Sequence, residues 1–142
     1  FTEPYFQSGL VITVRYENNN LDSLQALKGK TIGVMPGTVA QAYAFKIPDA
    51  KVISFGSWEQ TFLELEKGTV EAVISDYPLA ANFIKKGNNL KIVGEEFAVE
   101  NYGIAVSKNN PELLRKINSG LQAIKENGQY DIIYEKWFKE QD

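Results

Sequence analysis

From Leu10 to Gly87 the chain alternates short β-branched runs with amphipathic stretches of about ten residues, and this rhythm restricts the fold more than any other feature. Leu10 to Val14 (LVITV) reads as a buried strand, and the polar RYENNN that follows reads as a loop. Leu21, Leu24 and Leu27 recur at helical spacing up to Gly29, which predicts a short helix. Strands are then expected at 31–35, 51–55 and 70–74, with helices at about 38–46, 58–67 and through PLAANFIKKG. Ser57 with Gln60 three residues later forms a capping box, and Gly68 closes that helix. Strands separated by helices of this length cannot be joined by hairpins. They build βαβ units, so the expected fold class is α/β, a mainly parallel sheet flanked by helices.

The last third changes character. YGIAV (102–106) predicts one more strand, and the following NNPELLRKINSGLQAIKENG predicts a long amphipathic helix. Asn110 is its N-cap and Pro111 opens its first turn. Leu114, Ile117, Leu121 and Ile124 form the apolar stripe, and Gly128 ends it. A second helix, YDIIYEKWF, carries Ile132, Ile133, Trp137 and Phe138, an apolar face that requires a partner. There is no repeat, low-complexity tract or Gly/Ser linker. The opening FTEPYFQSGLVITVR enters strand-like alternation at once, without an initiator Met or a signal segment, and reads as the middle of a longer protein.

Composition removes several function classes. A net charge of -3 with no basic block gives nucleic acid nothing to bind. The absence of His and Cys removes imidazole bases, thiol nucleophiles, disulfides and the usual zinc constellations. No metal, cofactor or catalytic residue is expected; carboxylates, Lys, Tyr and hydroxyls are the chemistry that remains. No apolar run approaches the roughly 18 residues that suggest a membrane span.

Two junctions stand out. Pro36-Gly37-Thr38 ends one strand and opens a helix, at the carboxyl edge where open α/β sheets bind ligands and where backbone N–H groups favour anions. Taken locally, an ordinary strand-to-helix turn, with Gly37 for geometry and Thr38 as N-cap, is the simpler account of those residues. The junction is not a Walker loop, since no Lys follows the glycine, and GVMPG lacks a dinucleotide fingerprint. Asp76, next to Ser75 after VEAVI, falls at the same edge, either as a helix cap or as an acceptor for a cation. Together the two offer donors for an anion and an acceptor for a cation, which is what a zwitterion such as an amino acid requires. The adjacent pairs Lys85-Lys86, Arg115-Lys116 and Glu95-Glu96 read as solvated faces.

The segments FTEPYFQSGLVITVR, LKGKTIGVMPGT, FLELEKGTVEAVISD and YGIAVSKNNPELLRKINSGLQAIKENGQYDIIYEKWF, in this order and spacing, resemble the polar amino-acid-binding proteins of ABC importers. These are family 3 solute-binding proteins of the type II periplasmic binding protein fold. The resemblance implies two α/β lobes joined by crossover strands that close on a ligand. It implies that residues 1–9 are the first crossover and the end of lobe 1, and 10–97 a complete lobe 2. Residues 98–102 would be the return crossover, and 103–142 the C-terminal strand and helices of lobe 1. Hinge positions would be Tyr5, Gly9, Ala98 and Tyr102.

The resemblance also implies site roles. Asp76 matches the carboxylate that holds the ligand α-ammonium, and Gly37, Thr38 and Val39 match the helix start whose N–H groups meet the α-carboxylate. Met35 and Ser75 match positions that touch the ligand side chain, and Met35 departs from members that place Lys there for an amide ligand. The family's aromatic sandwich and its carboxylate-clamping Arg precede the position of Phe1; Arg15 and Arg115 match neither. The chain is thus expected to hold only part of the site of an extracytoplasmic, non-enzymatic binding component. Expected partners are a polar amino acid, a membrane permease, and either the missing N-terminal lobe or a second copy in a swapped dimer. A periplasmic or outer-face lipoprotein location follows from the same resemblance. A dehydratase-like enzyme and a sensor or receptor ligand-binding domain are the alternatives on the same fold.

Overall fold

The structure, a computed structural model, describes residues 1–87 and 89–138. The last four residues of the expected segment 103–142 therefore lie outside the described residues. The chain divides into two compact units, Gly9–Ala98 and a smaller one made of Phe1–Ser8 with Val99 onward.

The larger unit is built on strands β1 (Phe6–Arg15), β2 (Thr31–Val34), β3 (Lys51–Ser54), β4 (Ala72–Asp76) and β5 (Leu90–Tyr102), in the order β3-β2-β4-β1-β5. β1 and β5 continue across the unit boundary. β2 runs parallel to both β3 and β4, as helical crossovers demand, while β1 pairs antiparallel with β4 through Leu10↔Asp76 to Thr13↔Val73. Helices α1 (Val39–Ala44), α2 (Trp58–Lys67) and α3 (Tyr77–Lys85) connect these strands.

Period-2 alternation sorts the strand residues onto two faces. Leu10, Ile12, Val14, Ile32, Val34, Ala72 and Ile74 pack with Ala40 and Ala44 of α1. Val11 and Val73 pack on the opposite face with Phe62 and Leu65 of α2 and with Ala80 and Phe83 of α3. Gly33 lets α2 approach closely, since a Cβ there would lie 3.2 Å from Thr61 Cγ2 and 3.2 Å from Val70 Cγ2. The C-terminus of α2 is held by Arg15, whose Nη1 donates to Leu65 O at 2.8 Å and Val70 O at 3.1 Å, a cation placed where the helix dipole favours it. Arg15 is thus a structural cap.

Thr13 is wholly buried, and its Oγ1 has no hydrogen-bond partner among the described residues. A buried hydroxyl without a partner carries its desolvation cost uncompensated, so Thr13→Val is expected to raise stability by about 1 kcal/mol. Urea denaturation checks this: the midpoint should rise at unchanged slope.

The smaller unit contains α4 (Pro111–Glu126) and α5 (Gln129–Phe138). Asn110 caps α4 by accepting from Leu113 N, and the predicted stripe of Leu114, Ile117, Leu121 and Ile124 is only half buried. Phe6 stacks on Phe138 at 5.1 Å and meets Tyr102 edge-on at 5.5 Å. The N-terminal strip is gripped by α4 and α5. Glu3 N donates to Asn118 Oδ1 at 2.8 Å, Lys125 Nζ to Pro4 O at 3.1 Å, and the Tyr130 hydroxyl to Tyr5 O at 2.6 Å.

Burial raises the Tyr130 phenol above its ordinary value of 10.0, with Tyr134, Asp131 and Tyr5 adding to the shift. A phenol with a raised folded pKa supplies stability that is present below the unfolded value and lost as pH climbs through the folded one. Wild type is therefore expected to lose more of its melting temperature than Tyr130→Phe does when pH is taken above 10.0.

Two expectations require correction. The helix expected over Leu21 to Leu27 is only a single 3-10 turn at Gln25–Leu27, because Leu21 and Leu27 enter the core as separate anchors of an irregular segment. The strand expected at 102–106 is absent. β5 instead ends at Tyr102, and residues 103–106 are irregular, with Ile104 O accepting from Thr2 N and Ile104 N donating to Thr2 Oγ1.

Candidate functional site

The residues expected to form a site fall at one edge of the larger unit. Because Ile32↔Ala72 and Gly33↔Val73 pair in parallel, the carboxyl ends of β2 and β4 are neighbours, and α1 and α3 both begin there. The Met35–Val39 turn and Ser75-Asp76 thus leave the same rim. Leu10, opposite Asp76 in the antiparallel pair, brings the Gly9 end of β1 to that rim too.

The turn after β2 is locked locally. Gly37 adopts φ +74, a conformation that costs glycine nothing and other L-residues roughly 1–2 kcal/mol. Thr38 Oγ1 donates to Met35 O at 2.7 Å and accepts from Gln41 N at 3.2 Å, capping α1. Gly37 N donates to Gln41 Oε1 at 2.9 Å, and Gln41 Nε2 donates to Ser54 Oγ at 3.0 Å. Gly37 N–H is therefore engaged by the protein itself. Helix geometry leaves the N–H groups of Val39 and Ala40 without an intrahelical acceptor, and Val39 is exposed.

Asp76 occupies the N-cap position of α3, yet its side chain makes no capping hydrogen bond, in contrast to Thr38, Ser57 and Asn110. The capping account of Asp76 thus does not hold. Met35 and Asp76 are half exposed. Ser75 is fully buried on the Val73 face, and its hydroxyl donates to Asp76 O at 3.3 Å, so its present role is to steady the peptide of Asp76. A shallow groove lined by Asp22, Leu24, Glu95 and Phe97 lies elsewhere in this unit and includes none of these residues.

The positions named as hinges lie at or near the unit boundary, which falls after Ser8 and after Ala98. Gly9 donates its N–H to Glu96 Oε1, and a Cβ at this position would collide with Phe97 O. Ala98 holds φ +50, a strained value for a residue other than glycine. Tyr5 accepts from Tyr130, and Tyr102 packs on Phe6. Among the described residues no group of three or more acidic, His or Cys side chains is placed to hold a metal, and no helix is long and apolar enough to cross a membrane.

A parallel β2–β4 pair with helices on both faces and two helix starts on one rim defines a periplasmic-binding-protein-like α/β unit. Residues 1–140 match the model for bacterial extracellular solute-binding proteins, family 3, and the chain belongs to that family. It is 35% identical to the arginine-binding periplasmic protein of Mannheimia haemolytica, over 96% of this chain and 58% of the relative. It is 33% identical to the glutamine-binding protein GlnH of Bacillus subtilis, over 99% of this chain and 52% of the relative. The solved structure of an ancestral arginine-binding protein bound to arginine superposes with a TM-score of 0.83 at 43% identity, over 97% of this chain and 63% of that one. The chain thus spans between half and two thirds of the length of these relatives.

Proposed function

We infer that the chain is part of the extracytoplasmic amino-acid-binding component of an ABC importer, and that it binds rather than transforms its ligand. The observation that carries this reading is the shared carboxyl edge of β2 and β4, which gives one rim both an anion-seeking helix start and a carboxylate. Thr38 and Val39 N–H, with Gly37 shaping the turn, receive the α-carboxylate. Asp76 receives the α-ammonium, Ser75 orients Asp76, and Met35 offers an apolar wall to the ligand side chain. The names of the relatives, which specify arginine and glutamine, support a polar amino acid.

The residues Gly9–Ala98 act as one lobe, with Tyr5, Gly9, Ala98 and Tyr102 absorbing the hinge rotation. The exposed face of α5, where Ile132 is 69% and Trp137 57% accessible, is covered by first-lobe sequence or by a second copy of the chain. A membrane permease receives the loaded protein.

With half the contacts supplied by other sequence, this chain alone should hold L-arginine only at millimolar or weaker affinity, a free energy of about -4 kcal/mol or less in magnitude. The test is a titration followed by amide NMR on the whole chain. L-Arginine should shift Thr38, Val39 and Asp76, whereas agmatine, lacking the carboxylate, and N-acetyl-L-arginine, lacking the ammonium, should do so far less. Equal responses to all three would overturn the zwitterion reading, and micromolar affinity would overturn the half-site.

A further inference from the structure

One side chain ties this rim together without belonging to the motif that a ligand would meet. Gln41 lies on the first turn of α1. Its backbone N–H is taken by Thr38 Oγ1, its Oε1 accepts from Gly37 N at 2.9 Å, and its Nε2 donates to Ser54 Oγ at 3.0 Å at the end of β3. It therefore links three points: the left-handed turn after β2, the cap of α1 and the last residue of β3.

A Cβ at Gly37 would meet nothing within 4 Å, so packing does not fix this glycine. Its peptide is held by hydrogen bonding instead, and the acceptor is the amide oxygen of Gln41. Rotation of that peptide would redirect the next N–H groups along the chain, those of Thr38 and Val39. The Gly37 contact also fixes which way the Gln41 amide faces, because a reversed amide would set Nε2 against the Gly37 N–H, donor to donor, whereas the Ser54 hydroxyl can accept or donate and holds the amide in place either way.

We propose that Gln41 is the positioning residue of the carboxylate-binding turn: it pins the Gly37 peptide from behind, so that the N–H groups of Thr38 and Val39 are aimed before any ligand arrives. This rests on the amino-acid-binding reading above and assigns Gln41 no contact with the ligand.

The test uses the whole chain and two variants. Gln41→Met keeps length and helix propensity but removes both side-chain hydrogen bonds. Gln41→Glu keeps an acceptor for Gly37 and can accept from the Ser54 hydroxyl. Solvent-exchange rates of the Gly37 amide should rise at least tenfold in Gln41→Met and stay at the wild-type value in Gln41→Glu. The Phe45 amide, which donates to Gln41 O, should be unchanged in both. The response of Thr38 and Val39 to L-arginine should fall severalfold in Gln41→Met, with the melting temperature lowered by no more than a few degrees for the two lost hydrogen bonds. An unchanged Gly37 rate in Gln41→Met, or an arginine response equal to wild type, would overturn the proposal, as would a general loss of protection through α1. If wild type itself gives no response at Thr38 and Val39, the binding reading falls first, and this outcome is distinct from a responsive wild type matched by Gln41→Met.

Discussion

Phe62→Ala is expected to destabilise the larger unit by about 3–5 kcal/mol, a large share of the roughly 5–15 kcal/mol that holds an ordinary domain folded. Phe62 is 1% exposed, stacks on Phe83 of α3 at 4.4 Å and meets Trp58 at 6.3 Å. It stands where α2 and α3 both rest on the sheet, among Leu65, Val70 and Val73. The void left by alanine cannot collapse easily. α2 already sits close over Gly33, where a Cβ would lie 3.2 Å from Thr61 Cγ2, so it has little room to move inward, and its C-terminus is fixed by Arg15. The comparison is Leu63→Ala on the same helix, 46% exposed, for which the loss should stay within about 0.5 kcal/mol. Urea denaturation of both variants measures the difference, and a Phe62→Ala loss below about 1 kcal/mol would show that the two helices are not held through this ring.

The helices with local punctuation were legible from sequence. α2 begins and ends where Ser57 and Gly68 place it, with Ser57 Oγ accepting from Gln60 N at 3.1 Å and Gly68 at φ +87. α4 follows its Asn110-Pro111 start in the same way. Caps of this kind act within a turn, so a few residues determine them. Strand limits depend on partners distant in sequence and were less legible. The strand expected at 70–74 is found at Ala72–Asp76: Val70 is apolar because it is buried beneath α2, while its N–H bonds to Glu64 O rather than into the sheet. Hydrophobicity marked burial there, not pairing.

β5 gave little signal over Leu90 to Phe97. It is an edge strand whose middle, Gly94-Glu95-Glu96, is exposed, so it lacks the alternation of a half-buried strand, and Gly94 at φ +69 interrupts the extended run. At the site, the strand-to-helix junctions at Thr38 and Asp76 followed from the βαβ rhythm. Gln41 did not, although Thr38-x-x-Gln41 has the same form as Ser57-x-x-Gln60 and could have been read as a second capping box. Its side chain goes one residue further back than a capping box requires, to Gly37, and its bond to Ser54 depends on the β2–β3 pairing.

Asp76→Asn is expected to abolish the response of the rim to L-arginine while leaving the fold intact. A hydrogen bond to a charged group contributes about 1.5–3 kcal/mol, a factor of roughly ten to a hundred and fifty in affinity, so a millimolar interaction would move beyond a practical titration. Asparagine preserves the shape of the side chain and is as well suited as aspartate to the start of a helix, so the α3 boundary has no reason to shift. What it removes is the negative charge that an α-ammonium requires; its amide presents a neutral oxygen and two donors. Because asparagine serves a helix start as well as aspartate does, the substitution should leave the melting temperature within a few degrees of wild type, a change of about 1 kcal/mol or less. The two measurements separate the possible roles of this residue. A fall in melting temperature with arginine response retained would make Asp76 a structural acceptor, and the zwitterion site would lose its cation-binding half. Loss of response at constant stability is the result that only a ligand-facing carboxylate produces, and it should extend to Thr38 and Val39, because both ends of one amino acid must leave the rim together.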